Sequence, residues 1–145
     1  MSDVKKLREE TGAGVLDCKK ALDEANGDYG TALELIKAKG VAKADKKSDR
    51  EIGAGHLEAY LHGGRIGVLL ELGAETDFVT KSEGFREAAK NIAMQIAAMN
   101  PDSIEALLEQ EYFIDPSLNI QEYIKSVIAK VGENIKVARF TRYEV

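Results

Sequence analysis

Apolar residues along the chain first change their spacing near Gly53. Before that point they recur at helical intervals. Val4 and Leu7 open a first helix, which Thr11-Gly12-Ala13-Gly14 interrupts. Leu16, Ala21, Leu22 and Ala25 share one face of a second helix, and Asn26-Gly27, which tolerate the left-handed backbone region, close it. Asp28 is placed to cap a third helix carrying Ala32, Leu33 and Ile36, with a stop expected at Gly40. Residues 1–40 are few for an independent core, but three helices closing on one apolar seam can supply it. Val41 to Asp49 is rich in lysine and aspartate and reads as an exposed helical linker, residues 41–52, with Lys43, Lys46, Lys47 and Arg50 along it.

Beyond Gly53 the pattern turns strand-like. His56, Leu57, Tyr60 and Leu61 form one run, Gly63-Gly64 supplies a two-residue hairpin turn, and Arg65 to Leu72 returns as a buried strand. Ser82 can cap a long helix whose stripe is Phe85, Ala88, Ala89, Ile92, Ile96 and Met99, stopped by Asn100-Pro101. A shorter helix is expected around Ile104 to Leu108, then a loop through Asp115-Pro116. Asn119 with Glu122 resembles a capping box for a helix carrying Tyr123, Ile124, Val127, Ile128 and Val131, which Gly132 ends. Ile135 to Tyr143 is rich in β-branched and aromatic residues, and its alternation slips near Arg139, as a bulged last strand would. The expected fold is α+β: a three-helix head, a basic helical linker, and a core over residues 53–145 with a three-stranded antiparallel sheet packed with helices.

Composition narrows the function classes. With 25 acidic against 20 basic residues, the net charge of -5 argues against broad binding to nucleic-acid backbones. The single cysteine, Cys18, excludes an intramolecular disulfide and a multi-thiolate zinc site, and it reads as a small packing residue. Met1-Ser2-Asp3-Val4-Lys5-Lys6 leads into charged residues with no apolar signal-peptide region, and no apolar run approaches the roughly 20 residues that span a bilayer, so the expectation is a cytoplasmic protein with no membrane partner. The glycines at 53, 55, 63, 64 and 67 fit neither phosphate-binding spacing and are better explained by a turn and strand packing. His56 and His62 share a strand face but stand about 20 Å apart at ~3.3 Å per residue, too far for one metal. No cofactor, metal site or catalytic constellation is expected, which disfavours a small-molecule enzyme.

One segment stands out. Glu75-Thr76-Asp77-Phe78-Val79 follows a strongly apolar strand. An exposed phenylalanine forfeits roughly 1.5–3 kcal/mol relative to burial, so Phe78 either packs into its own core or is held out for a partner.

Two stretches bear on that choice. Leu7-Arg8-Glu9-Glu10-Thr11-Gly12-Ala13-Gly14-Val15-Leu16-Asp17-Cys18-Lys19-Lys20-Ala21-Leu22 resembles the N-terminal signature of bacterial elongation factor Ts, and Glu71 to Lys81, centred on Thr76-Asp77-Phe78-Val79, resembles its second signature. Ala129 to Ile135 is similar to the family's C-terminal core. The chain departs from the family in carrying Gly73 and Ala74 where asparagine and a small polar residue or cysteine are usual, and in having room for only one of two related core halves.

The resemblance implies guanine nucleotide exchange on elongation factor Tu, without covalent chemistry. It implies a ubiquitin-associated-like head that docks on the Tu nucleotide domain through Arg8, Val15 and Leu16. It also implies that Thr76, Asp77, Phe78 and Val79 dislodge magnesium from Tu, with His62 matching a second Tu contact that longer members carry in their other half. A homodimer is expected to replace the missing half. The rival of another class is a ubiquitin-associated-type protein-binding module without exchange activity.

Overall fold

The computed structural model describes residues 2–145, and its elements run α1 (Asp3–Thr11), α2 (Val15–Glu24), α3 (Tyr29–Lys47), β1 (Ala54–His62), β2 (Ile66–Ala74), α4 (Asp77–Thr80), α5 (Glu83–Met99), α6 (Ile104–Glu109), α7 (Ile120–Val131) and β3 (Ile135–Glu144). The fold is α+β, with seven helices and one antiparallel sheet among the described residues.

The helical head forms as its caps dictate. Asp28 accepts from the backbone N–H of Thr31 at 3.1 Å and also takes its hydroxyl. Asn26 and Gly27 both adopt positive φ between α2 and α3. Leu7, Cys18, Ala21, Ala25, Ala32 and Ile36 make a closed apolar cluster of their own.

The expected stop at Gly40 is absent: α3 runs through it to Lys47. A glycine ends a helix when the chain needs the left-handed region there, and Gly40 does not adopt it. Its use is closeness. A Cβ at position 40 would lie 3.3 Å from the Ala129 methyl on α7. The segment beyond it is not a wholly exposed linker either. Ala44 is 2% exposed and belongs to the main core, and Asp45 pairs with Lys125 of α7 at 3.0 Å. The head is therefore carried on a helix that is itself packed into the core.

The sheet has the order β1-β2-β3. Its first hairpin pairs His62 with Ile66, so the loop has three residues and not two. Gly63 and Gly64 take φ of 59° and 69° inside a turn closed by Arg65 N–H to His62 O, and Arg65 is added as a third loop residue. Between β2 and β3 the register slips: Glu71 faces Arg139 while Leu72 faces Val137, leaving Ala138 as a bulge. This is the irregularity expected near Arg139.

One face of the sheet meets α5. Val68, Leu70, Leu72 and Ala74 close on Phe85, Ala88, Ala89, Ile92, Ala93 and Ile96, all at most 4% exposed. Each large side chain buried here is worth roughly 1.5–3 kcal/mol. Met99, expected in this stripe, is 47% exposed, because Asn100 turns the chain away one residue later with φ 46°. The other face of the sheet is uncovered. Leu57, Leu61, Leu69 and Tyr143 stand out on it: Leu61 and Tyr143 flank Gly67, Leu69 lies between Ala59 and Thr141, and Leu57 pairs with Glu71, which meets Arg139 in an ion pair at 2.7 Å.

Candidate functional site

Leaving β2, the chain turns at Glu75 and Thr76 into the one-turn helix α4. Four residues give no helix on their own, since nucleation is strongly unfavourable. This turn is held from every side. Thr76 caps it, its hydroxyl accepting from Val79 N–H at 3.4 Å. Ser82 donates to Val79 O at 2.6 Å, and Arg86 Nε donates to Thr80 O at 2.8 Å. Val79 and Thr80 point inward, 5% and 3% exposed. A contact from α7–β3 closes the N-terminal end: Glu133 accepts from both the backbone N–H and the hydroxyl of Thr76, at 2.9 and 2.8 Å.

On this anchored turn Phe78 is 86% exposed. The core alternative for its ring is excluded, and the ring is not loose: buried Val79 and Thr80 follow it, and hydrogen bonds hold both ends of the turn. Asp77 beside it is also exposed, and its carboxylate joins no ion pair among the described residues. Of the four residues singled out from the sequence, Asp77 and Phe78 therefore face solvent, Thr76 braces the turn, and Val79 is buried beneath it.

The remaining residues lie elsewhere. Arg8 on α1 and Val15 and Leu16 at the start of α2 are exposed on the head, Leu16 by 80%. His62 ends β1 with its Nδ1 3.0 Å from the Tyr60 hydroxyl. Phe78 follows the end of β2 that pairs with Ala54, whereas His62 stands at the opposite end of the same ladder. Those two residues are not brought together within one chain.

Sequence reasoning missed Glu133 and its neighbour Asn134. The Asn134 side chain, in a residue only 2% exposed, donates to Ser48 O and Arg50 O at 3.3 and 2.9 Å, and its N–H meets the Glu75 carboxylate at 2.7 Å. These contacts join positions more than fifty residues apart, and no local spacing announces them. No group of three or more metal-ligating side chains occurs among the described residues, nor does a helix long and apolar enough to cross a membrane.

The family pattern described as Elongation factor TS matches residues 2–106 and again 75–145. The chain belongs to the elongation factor Ts family. Elongation factor Ts of Thermotoga maritima is 42% identical over 189 residues, covering 100% of this chain and 95% of the relative. The chloroplastic elongation factor Ts of Phaeodactylum tricornutum is 41% identical, covering 97% and 93%, and that of Alkaliphilus oremlandii is 38% identical, covering 99% and 88%. The Thermotoga match spans 189 residues against the 145 of this chain, so that family member holds additional residues inside the matched stretch. As an elongation factor Ts, the chain is a translation elongation factor.

Proposed function

We propose that this chain promotes release of GDP from elongation factor Tu, with Phe78 as the wedge and Asp77 as its charged neighbour. The observation that carries the reading is an aromatic ring 86% exposed on a turn anchored by buried Val79 and Thr80 and hydrogen-bonded at both ends. Such a ring can displace packed helices in a partner without yielding itself. A carboxylate beside it can compete for polar groups around a bound magnesium ion. Since that ion bridges the nucleotide phosphates to the GTPase, moving it loosens GDP.

The energetics are those of linkage. A factor that binds nucleotide-free Tu more tightly than Tu-GDP lowers GDP affinity by the same ratio. No bond is made or broken, so no general base is needed. The ubiquitin-associated-like head would dock first, through Arg8, Val15 and Leu16, of which Leu16 offers an exposed apolar tip. Because α3 is packed on α7 by Gly40, Ala44 and the Asp45–Lys125 pair, head and wedge would meet Tu as one body.

The chain would act as a homodimer, joined through the uncovered sheet face. Leu57, Leu61, Leu69 and Tyr143 form an apolar centre there, and the Glu71–Arg139 pair carries both charges, as a self-complementary surface requires. Residues 75–106 fall within both family matches, which suits one core half answering to two in the family pattern. His62 of the second copy would then supply the contact that lies far from Phe78 in the first.

The deciding experiment loads Tu with fluorescent GDP and follows its release with wild-type protein and with Phe78→Ala. Acceleration by the wild type and its loss in Phe78→Ala are expected. No acceleration by the wild type would sink the exchange reading, and full activity in Phe78→Ala would remove the wedge. Light scattering at micromolar concentration tests the dimer, with Leu61→Asp expected to give a monomer. A monomeric wild type, alone and with Tu, would end the dimer proposal.

A further inference from the structure

Thr76 has one hydroxyl proton and two lone pairs to place. The proton goes to Glu133 Oε2 at 2.8 Å, which leaves a lone pair for Val79 N–H at 3.4 Å. The backbone N–H of Thr76 lies past the last β1–β2 pair, Ala54 with Ala74, and goes to Glu133 Oε1 at 2.9 Å. One carboxylate therefore sets both the rotation of the capping hydroxyl and the direction of the chain entering α4. Both bonds are charge-assisted, the stronger class of neutral-donor contact.

The far end of α4 is held by Ser82 and Arg86, and its middle by burial of Val79. The near end has Glu133. Release of that end would free ψ of Glu75 and φ of Thr76, and Phe78 lies only two residues beyond. Asn134 extends the same corner to Ser48 and Arg50, just after α3. The α7–β3 corner thus joins the exit of the head-bearing helix to the turn that carries the exposed ring.

We infer that Glu133 is a positioning residue for Phe78: its two-point hold on Thr76 keeps the ring at a fixed place and angle. What the ring does there rests on the exchange reading. Whether it is held does not, and the two are tested separately.

Amide order parameters of residues 77–80 are measured in the free protein, for wild type, Glu133→Gln and Glu133→Ala. The wild type should sit near the rigid value of about 0.85, and Glu133→Ala should fall below about 0.6. Glu133→Gln keeps one acceptor oxygen for two donors and should fall between them. It also serves as the readout if Glu133→Ala lowers overall stability. Unchanged order in both variants overturns the inference.

Fluorescent-GDP release from Tu is then followed over a range of factor concentrations. Glu133→Ala should lower the saturating rate about tenfold, equivalent to ~1.4 kcal/mol. The half-saturating concentration should change by less than about threefold, because the head surface is untouched; a merely structural defect would instead dilute the active protein and shift that concentration. A normal saturating rate despite lost order also overturns the inference. A wild type that releases no GDP overturns the exchange reading alone, since the order parameters still decide whether Glu133 holds the ring.

Discussion

Gly40 on α3 and Ala129 on α7 face each other so closely that a Cβ at position 40 would lie 3.3 Å from the alanine methyl. The contact is what lets a head helix also be a core helix. A methyl group at this spacing needs its neighbour to yield by a few tenths of an ångström. Gly40→Ala should therefore be nearly neutral, its helix-propensity gain of up to about 1 kcal/mol offset by crowding. Gly40→Val should lose roughly 1–3 kcal/mol by overpacking, read as a lower urea midpoint. It should also expose the Asp45–Lys125 pair, visible as faster amide exchange along the second half of α3.

Phe78 and Phe85 are seven residues apart with opposite environments, 86% and 0% exposed. Phe85→Ala should cost about 3–5 kcal/mol, the usual range for emptying a buried aromatic site. Phe78→Ala should change stability by less than about 0.5 kcal/mol, as surface substitutions do. Thermal unfolding of both variants checks the pair. A large stability loss in Phe78→Ala would mean that the ring packs after all.

Gly73 sits where the packing leaves no room for a side chain. A Cβ there would overlap Ile52 Cγ2 and stand 3.2 Å from the Ala54 carbonyl oxygen. Ile52 occupies the space that a side chain at 73 would need. Gly73→Asn should destabilise by about 1–3 kcal/mol. Combining it with Ile52→Ala should recover part of that loss, so a double-mutant cycle should show coupling of at least about 0.5 kcal/mol. Strict additivity would refute the explanation.

Asp28 should give the head an acid-sensitive element. Its bonds from the Thr31 hydroxyl and backbone N–H hold its carboxyl below the ordinary value of about 3.9. A group depressed on folding contributes its full stabilisation above the unfolded pKa and loses it as pH falls through the folded one. Asp28→Asn keeps a capping oxygen but does not titrate. Urea unfolding between pH 6 and the acid limb (~pH 3) should show a shallower pH dependence in Asp28→Asn than in the wild type.

Legibility in the sequence followed the range of the interactions. The caps at Asp28, Ser82 and Asn119, the bulge near Arg139 and the stripe from Phe85 to Ile96 rest on residues close in the chain, and all were readable. Gly40 misled because glycine serves both as a terminator and as a close-approach residue, and only the position of Ala129 decides between them. Gln95 was unreadable as a core residue. It is 0% exposed because its amide donates to Gln110 and Glu111 and accepts from Phe113 N–H, pinning the loop after α6. Exposure of Phe78 could be posed as a question from sequence, but its answer needed Glu133, Ser82 and Arg86 in place around it.

The bulge at Ala138 sets the parity of the last strand. Before it the odd-numbered residues Ile135 and Val137 turn toward the helices; after it the even-numbered Phe140 and Arg142 do. Loss of Ala138 would straighten the strand and leave its far half in register, whereas loss of one residue beyond the bulge would invert the remainder. With Thr141 removed, Arg142, which now donates to the Ala97 carbonyl at 3.0 Å, would swing to the open face, and Tyr143 would turn toward α5. The strand can thus give up a residue at the bulge, but beyond it a change in length by one carries the inner side chains to the open face.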